Sequence, residues 1–254
     1  NILSFNEMVS QIFNEQSSIG IRRKKGSFFV KNNQIGFLDL DLNVDNRELI
    51  FDIFIELGKH KKINEINSQS ISALKKSNKL INDSFKQDRV ISKKFIQILK
   101  SEQNLSSILR TMKNVGVLQS YIPDFAEIVG QMQFDLFHIY TVDEHTFKVM
   151  RSMRQMKITY SDEFKLENEL IRKIPKIEIL YIAGLFHDLG KGKGGNHSEI
   201  GAKISRDFAE RLGLSLADSD LISWLVLHHL KMSSISQRQD ISDPETISQF
   251  ADIV

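Results

Sequence analysis

His187 and Asp188 stand side by side after an almost wholly apolar run, Ile177 to Phe186, and just ahead of Gly190, Gly192, Gly194 and Gly195. This puts two polar ligand types at the mouth of a buried helix, where a desolvated carboxylate needs a cation or several hydrogen-bond donors. A divalent metal would supply that charge, with imidazole nitrogen and carboxylate oxygen as compatible ligands. His145 joins the pair, because Val142, Val149, Met150 and Met153 give its helix an inward stripe on the same side. His197 and His229 extend the set, His229 being expected one turn beyond Leu225 and Val226 in a helix that starts near Asp218. Two ions about 3.5 to 4 Å apart, sharing Asp188, would polarise a phosphoryl group and activate water at neutral pH. That is phosphohydrolase chemistry.

Lys191, three residues after Asp188, could touch a phosphate as a point charge, or be a solvated loop lysine. His138 and His228 read as groups that orient a ligand or contact substrate rather than as ligands. His60, beside Lys61 and Lys62, reads as an ordinary helix-end histidine. The glycines fit neither a dinucleotide fingerprint nor a phosphate loop, since no strand precedes them and neither lysine among them, Lys191 or Lys193, is followed by serine or threonine. Their expected work is to bend the backbone around the site and start the next helix at Asn196, a good cap.

The elements that must hold these groups are helices. With only 3 prolines in 254 residues and apolar residues at helical spacing through most of the chain, the fold is expected to be all-α. One exception stands near the start, where Phe28 to Val30 and Ile35 to Leu38 flank Lys31-Asn32-Asn33-Gln34 as a small β-hairpin. Apolar residues nearly surround a helix from Arg47 to Leu57, which implies burial on more than one side, with Gly58 expected to end it. Amphipathic segments follow at about 69 to 86, 91 to 100 and 104 to 114. Only His60 of the 7 histidines precedes residue 138, so a functional boundary is expected near 120 to 130.

Composition bounds the partners. The chain is 41% apolar and 26% charged, and no apolar run approaches the length of a membrane helix. With no cysteine, thiolate zinc sites, disulfides and cysteine nucleophiles are excluded, and a cytoplasmic setting is expected. The formal charge of +2, from 34 basic and 32 acidic side chains, predicts neither a nucleic-acid nor a membrane partner. The chain opens on Asn1 rather than Met, and Glu245 to Val254 read as an unfinished helix, so an excised piece is expected.

Three stretches together resemble one family: VGQMQFDLFHIYTVDEHT (129 to 146), LFHDLGKGKGGNHSEIGA (185 to 202) and HHLKMSSISQRQDISDPE (228 to 245). The combination resembles the uridylyl-removing HD domain of bacterial bifunctional enzymes that modify the PII signalling protein. Residues 1 to 125, with VGVLQSYIPDF, are similar to the helical region that links the nucleotidyltransferase and HD domains there. The resemblance implies an HD-domain helical bundle over 126 to 254, with His145, His187 and Asp188 binding a divalent metal, Mn2+ or Mg2+. It implies hydrolysis of uridylylated PII with release of UMP, and roles for His197, His229 and Lys191 at a second ion or the phosphate. The rival readings are a phosphohydrolase of free nucleotides and a non-catalytic HD-fold binding module.

Two departures qualify the resemblance. An HD domain normally closes its site with an aspartate on a helix beyond the tail motif, here expected after Val254; Asp240, Asp243 and Asp252 are weaker alternatives. The transferase look-alike, Gly26-Ser27 followed by Asp39 and Asp41 on a strand, is read as coincidence. The regulatory ACT domains of the family are not in this sequence, so glutamine sensing is not expected of it.

Overall fold

The computed structural model describes residues 22–23, 27–101, 103–132 and 140–253. His138 and Gly26, singled out above, lie outside those residues. Asn32 and Asn33 both take positive φ, 49° and 63°. That is what a two-residue turn needs for its twist to match the strands it joins, and asparagine tolerates it better than other side chains with a Cβ. The turn joins β2 (Phe28–Lys31) to β3 (Gln34–Phe37) in antiparallel register, Val30 opposite Ile35. The expected hairpin is therefore present, widened by β1 (Arg22–Arg23) on one edge and a parallel β4 (Glu65–Ile66) on the other.

All other regular elements described are helical. α1 (Leu49–Lys59) buries Ile50, Phe51, Ile53, Phe54, Ile55 and Leu57, as its nearly continuous apolar circumference requires. Gly58 does not end it. The helix runs one residue further, and the missing side chain instead lets Ser101 and Ile108 approach closely. The segment expected as one helix over 69 to 86 is broken into α2 (Ser68–Ser77), a 3-10 turn (Asn78–Leu80) and α3 (Asp83–Lys86). Two asparagines cause the break by offering the backbone local alternatives. Asn78 donates from its side chain to the Val115 carbonyl at 2.8 Å, and Asn82 accepts from the Phe85 N–H at 3.0 Å to cap a new helix.

α4 (Arg89–Leu99), capped by Asp88, and α5 (Leu105–Asn114) follow close to expectation. α6 (Val117–Tyr121) and α7 (Pro123–Ile128) then turn the chain, Gly116 adopting the left-handed backbone (φ 84°) that the sharp entry into α6 demands. The second half contains α8 (Val142–Ile158), α9 (Lys165–Lys173), α10 (Ile177–Phe186), α11 (His197–Leu212), α12 (Leu216–Leu227), α13 (Lys231–Arg238) and α14 (Pro244–Ala251). The terminal helix thus stops at Ala251, where the Asp252 N–H bonds back to the Ser248 carbonyl at 3.0 Å.

A run of aromatic rings joins the two halves. Phe51 of α1 meets Tyr121 edge-on at 4.9 Å and Phe85 at 5.4 Å. Phe208 of α11 lies 5.6 Å from Phe95, 6.1 Å from Tyr121 and 4.6 Å from Phe186. Arg211 fastens the same junction, stacking over Tyr121 and Phe208 while donating to the Lys86 and Tyr121 carbonyls at 3.0 and 3.1 Å. The buried apolar side chains form one continuous core across it, and that core fixes α10 and α11, the helices flanking His187 and Asp188.

Candidate metal centre

The geometry of the centre follows from helix ends. His187 is the C-cap of α10, and its Nδ1 lies 2.8 Å from the Gly184 carbonyl. A carbonyl can only accept, so Nδ1 is the donor there, and Nε2 faces Asp188 Oδ2 at 3.2 Å. His229 repeats the device: Nδ1 donates to the Val226 carbonyl at 2.7 Å, and Nε2 faces Asp188 Oδ1 at 3.7 Å. It does so from a different place than its spacing suggested. α12 ends at Leu227, with His228 as its C-cap and its ring 5.0 Å from that of Trp224, so His229 lies in the turn leading to α13. The turn swings its ring inward, which a continued helix would have decided by periodicity alone.

His145 comes from the first turns of α8 and brings its Nε2 to 3.7 Å from Asp188 Oδ2. His197 opens α11 behind the Asn196 cap, its ring 5.5 Å from that of His229. Between them, the 3-10 turn Leu189–Gly192 packs so tightly on α11 that a Cβ on Gly190 would collide with the His197 carbonyl oxygen. Gly194 and Gly195 take positive φ, 70° and 80°. The glycines do bend the backbone around the site and lead into the Asn196-capped helix.

All five residues expected as ligands are therefore brought together. Two groups have ligand atoms within 4.8 Å of one another: His145, His187 and Asp188, and Asp188, His197 and His229. Asp188 is common to both and 2% exposed. Burial by itself would raise its pKa, but the facing imidazoles of His187 and His229 and the ammonium of Lys191 outweigh burial and hold the carboxyl far below the usual carboxylate range. Lys191 Nζ lies 2.8 Å from Asp188 Oδ2. Burial pushes the His197 imidazole below its ordinary value, which favours the neutral form that ligates a metal.

Whether a cation fits can be judged from the lone pairs. Among the described residues, Asp188 Oδ1, His197 Nε2 and His229 Nε2 are buried and have no hydrogen-bond partner. Each buried polar atom left so costs about 1–3 kcal/mol, and two such imidazole nitrogens beside one such carboxylate oxygen call for a positive centre among them. A divalent ion with nitrogen and oxygen ligands meets that need.

The remaining polar residues named from the sequence fall elsewhere. His60 follows α1 with Nε2 3.9 Å from Glu56. Asp240 accepts from the Ser242 N–H at 2.9 Å, Asp243 caps α14, and Asp252 is an exposed helix-end residue. None of the three belongs to either ligand group. Asp39 and Asp41 are exposed in a loop rather than on the expected strand, Asp39 accepting from the Asp41 N–H at 2.9 Å.

The structure adds residues that the sequence did not single out. Gln131 donates to the Lys191 carbonyl at 3.1 Å, and Lys193 bridges Asp124 and Glu127 of α7 at 2.9 and 2.8 Å. Asp143 is 2% exposed, although its place in the first turn of α8 suggests a solvated residue favoured by the helix dipole. Periodicity gave no sign of it, because the partners lie on other elements.

Comparison with known proteins assigns both halves. The family described as "Uridylyltransferase GlnD third domain" matches residues 28–121, and the family described as "HD domain" matches residues 142–254. The bifunctional uridylyltransferase/uridylyl-removing enzyme of Ectopseudomonas mendocina is 44% identical over 206 residues, covering 81% of this chain and 23% of that protein. The enzyme of the same description from Nitrosococcus oceani is 37% identical over 252 residues, covering 97% of this chain and 28% of its own length. The chain belongs to the bifunctional uridylyltransferase/uridylyl-removing enzyme family. It spans about a quarter of the length of these curated relatives. In a member of this family, a pair of histidine groups around one carboxylate lies within the stretch that matches the HD domain.

Proposed function

We propose that this chain carries the uridylyl-removing site of a bifunctional enzyme that also uridylylates the PII signalling protein. The reading divides the chain into a helical region over 1 to 125 and an HD hydrolase domain over 126 to 254. The observation that carries it is Asp188, shared between two pairs of histidines whose ligand atoms lie within 4.8 Å of one another, with Asp188 Oδ1, His197 Nε2 and His229 Nε2 buried and unpartnered. His145, His187 and Asp188 would hold one divalent ion, Mn2+ or Mg2+, and Asp188, His197 and His229 a second. Ions there supply positive charge against the phosphoryl oxygens and make water more acidic.

The chain's own residues prepare the reaction in other ways. The Gly184 and Val226 carbonyls fix the tautomers of His187 and His229, so that both Nε2 atoms face the carboxylate. Lys191, with a side chain 15% exposed, sets a point charge at the rim, where it would orient a non-bridging phosphoryl oxygen. Hydrolysis then forms a phosphorus–oxygen bond to water and breaks the bond to the PII tyrosyl oxygen, freeing UMP and the tyrosine hydroxyl. No described helix is long and apolar enough to cross a membrane. The reading makes this a cytoplasmic enzyme acting on a protein, with neither nucleic acid nor a membrane as partner.

The test is release of UMP from uridylylated PII by the chain loaded with Mn2+, beside an Asp188→Asn variant and beside free uridine nucleotides as competing substrates. Release from PII that Asp188→Asn abolishes supports the reading. Turnover of the nucleotides alone would favour a small-molecule phosphohydrolase, and metal binding without turnover of either would favour a binding module.

A further inference from the structure

An ion network on the far side of α8 connects the helical region to the metal centre. Lys113, in the last turn of α5, reaches across 30 residues of sequence to Asp143 Oδ2 at 2.8 Å and to Glu144 Oε1 at 2.9 Å. Arg110, one turn earlier, holds the other Glu144 oxygen at 2.9 Å. Asp143 Oδ1 accepts from the Gly130 N–H at 3.1 Å, so this buried carboxylate is gripped from both sides. Phe147, fully buried one turn on, lies 5.3 Å from Lys113 Nζ and 5.4 Å from the Arg110 guanidinium. These contacts surround the first turns of α8, and the next residue after Asp143 and Glu144 is His145.

We propose that Lys113 is a positioning residue for the metal centre: by clamping Asp143 and Glu144, it fixes the first turn of α8 and hence the reach of His145 toward Asp188. The inference rests on the metal reading given above. Its physical basis is that a buried ion pair gains little over an apolar contact in stability, whereas its directional bonds set the register of one element against another. α5 belongs to the stretch matched by the third-domain family and α8 to the HD stretch. The helical region is thereby a mechanical part of the hydrolase site rather than a passive spacer. Lys113 does not touch the ligand atoms; it acts through the helix that carries one of them.

The experiment is Mn2+ binding to the whole chain by equilibrium dialysis, comparing wild type, Lys113→Met and Lys113→Arg, each also in a His145→Ala background. Circular dichroism checks that every variant folds. Lys113→Met is expected to weaken the His145-dependent ion by about 10- to 100-fold, as loss of an outer supporting partner does. Lys113→Arg should restore most of the affinity, and in the His145→Ala background Lys113→Met should have no further effect. Wild-type affinity in Lys113→Met, or an equal loss in the His145→Ala background, overturns the proposal. If Lys113→Met does not fold, Asp143→Asn, which keeps the side-chain shape, takes its place with the same expectations. No binding by wild type would sink the metal reading itself, and this inference with it.

Discussion

Asp188 belongs to both ligand groups, whereas each histidine belongs to one, so their replacements should differ in kind. Asp188→Asn removes the negative charge common to both and should abolish bound Mn2+ altogether. His145→Ala and His197→Ala should each lower the content by one ion and leave the other. Elemental analysis after dialysis against Mn2+ reads this directly, and retention of both ions by Asp188→Asn would argue against a shared carboxylate. The histidine and aspartate types were legible one by one, because inward polar groups on an apolar helix need a partner. Asp143 was not legible: its burial depends on Lys113, which lies on another helix, and on the Gly130 backbone.

At the scale of elements, Asp88 couples a cap to a long-range tie. It accepts from the Val90 N–H at 2.8 Å to start α4 and pairs with Arg47, just before α1, at 2.9 Å. The Val90 N–H holds the carboxyl below its ordinary value of 3.8; partial burial works the other way, and Arg47 adds to the lowering. A carboxyl whose pKa is lower in the folded state contributes stability that is complete above its unfolded pKa. That contribution is lost as pH falls from there through the folded value. Chemical denaturation of wild type should therefore weaken below about pH 4, with Asp88→Asn showing a shallower acid limb because asparagine caps without titrating. At neutral pH, Asp88→Ala should cost about 1 kcal/mol. An unchanged acid limb in Asp88→Asn would mean that this carboxyl does not contribute.

At the scale of the whole molecule, the rings of Phe51, Phe95, Tyr121, Phe186 and Phe208 run from the helical region into the bundle without interruption. Two halves sharing one core should unfold together, so calorimetry is expected to show one transition, and Mn2+ should raise all of it by mass action. Phe208→Ala, at a position 5% exposed and touching both halves, should cost about 3–5 kcal/mol and lower that single transition. Two resolved transitions in wild type, with only one responding to Mn2+, would show that the halves fold independently.

The sequence by itself determined the helical class and the hairpin, and it singled out the four histidines that the structure gathers around Asp188. Periodicity, an Asn-Asn turn and the position of polar groups beside an apolar run are local signals that act within one element. The tertiary structure decided what depends on two elements meeting. Asn78 and Asn82 broke a helix that its spacing alone would have continued, one by bonding to the carbonyl of Val115. His229 left the helix and reached Asp188 from a turn, and Gly58 served close packing rather than termination. The clamp of Lys113 on Asp143 is the clearest case, since a charge 30 residues away becomes a neighbour only when α5 packs across the start of α8.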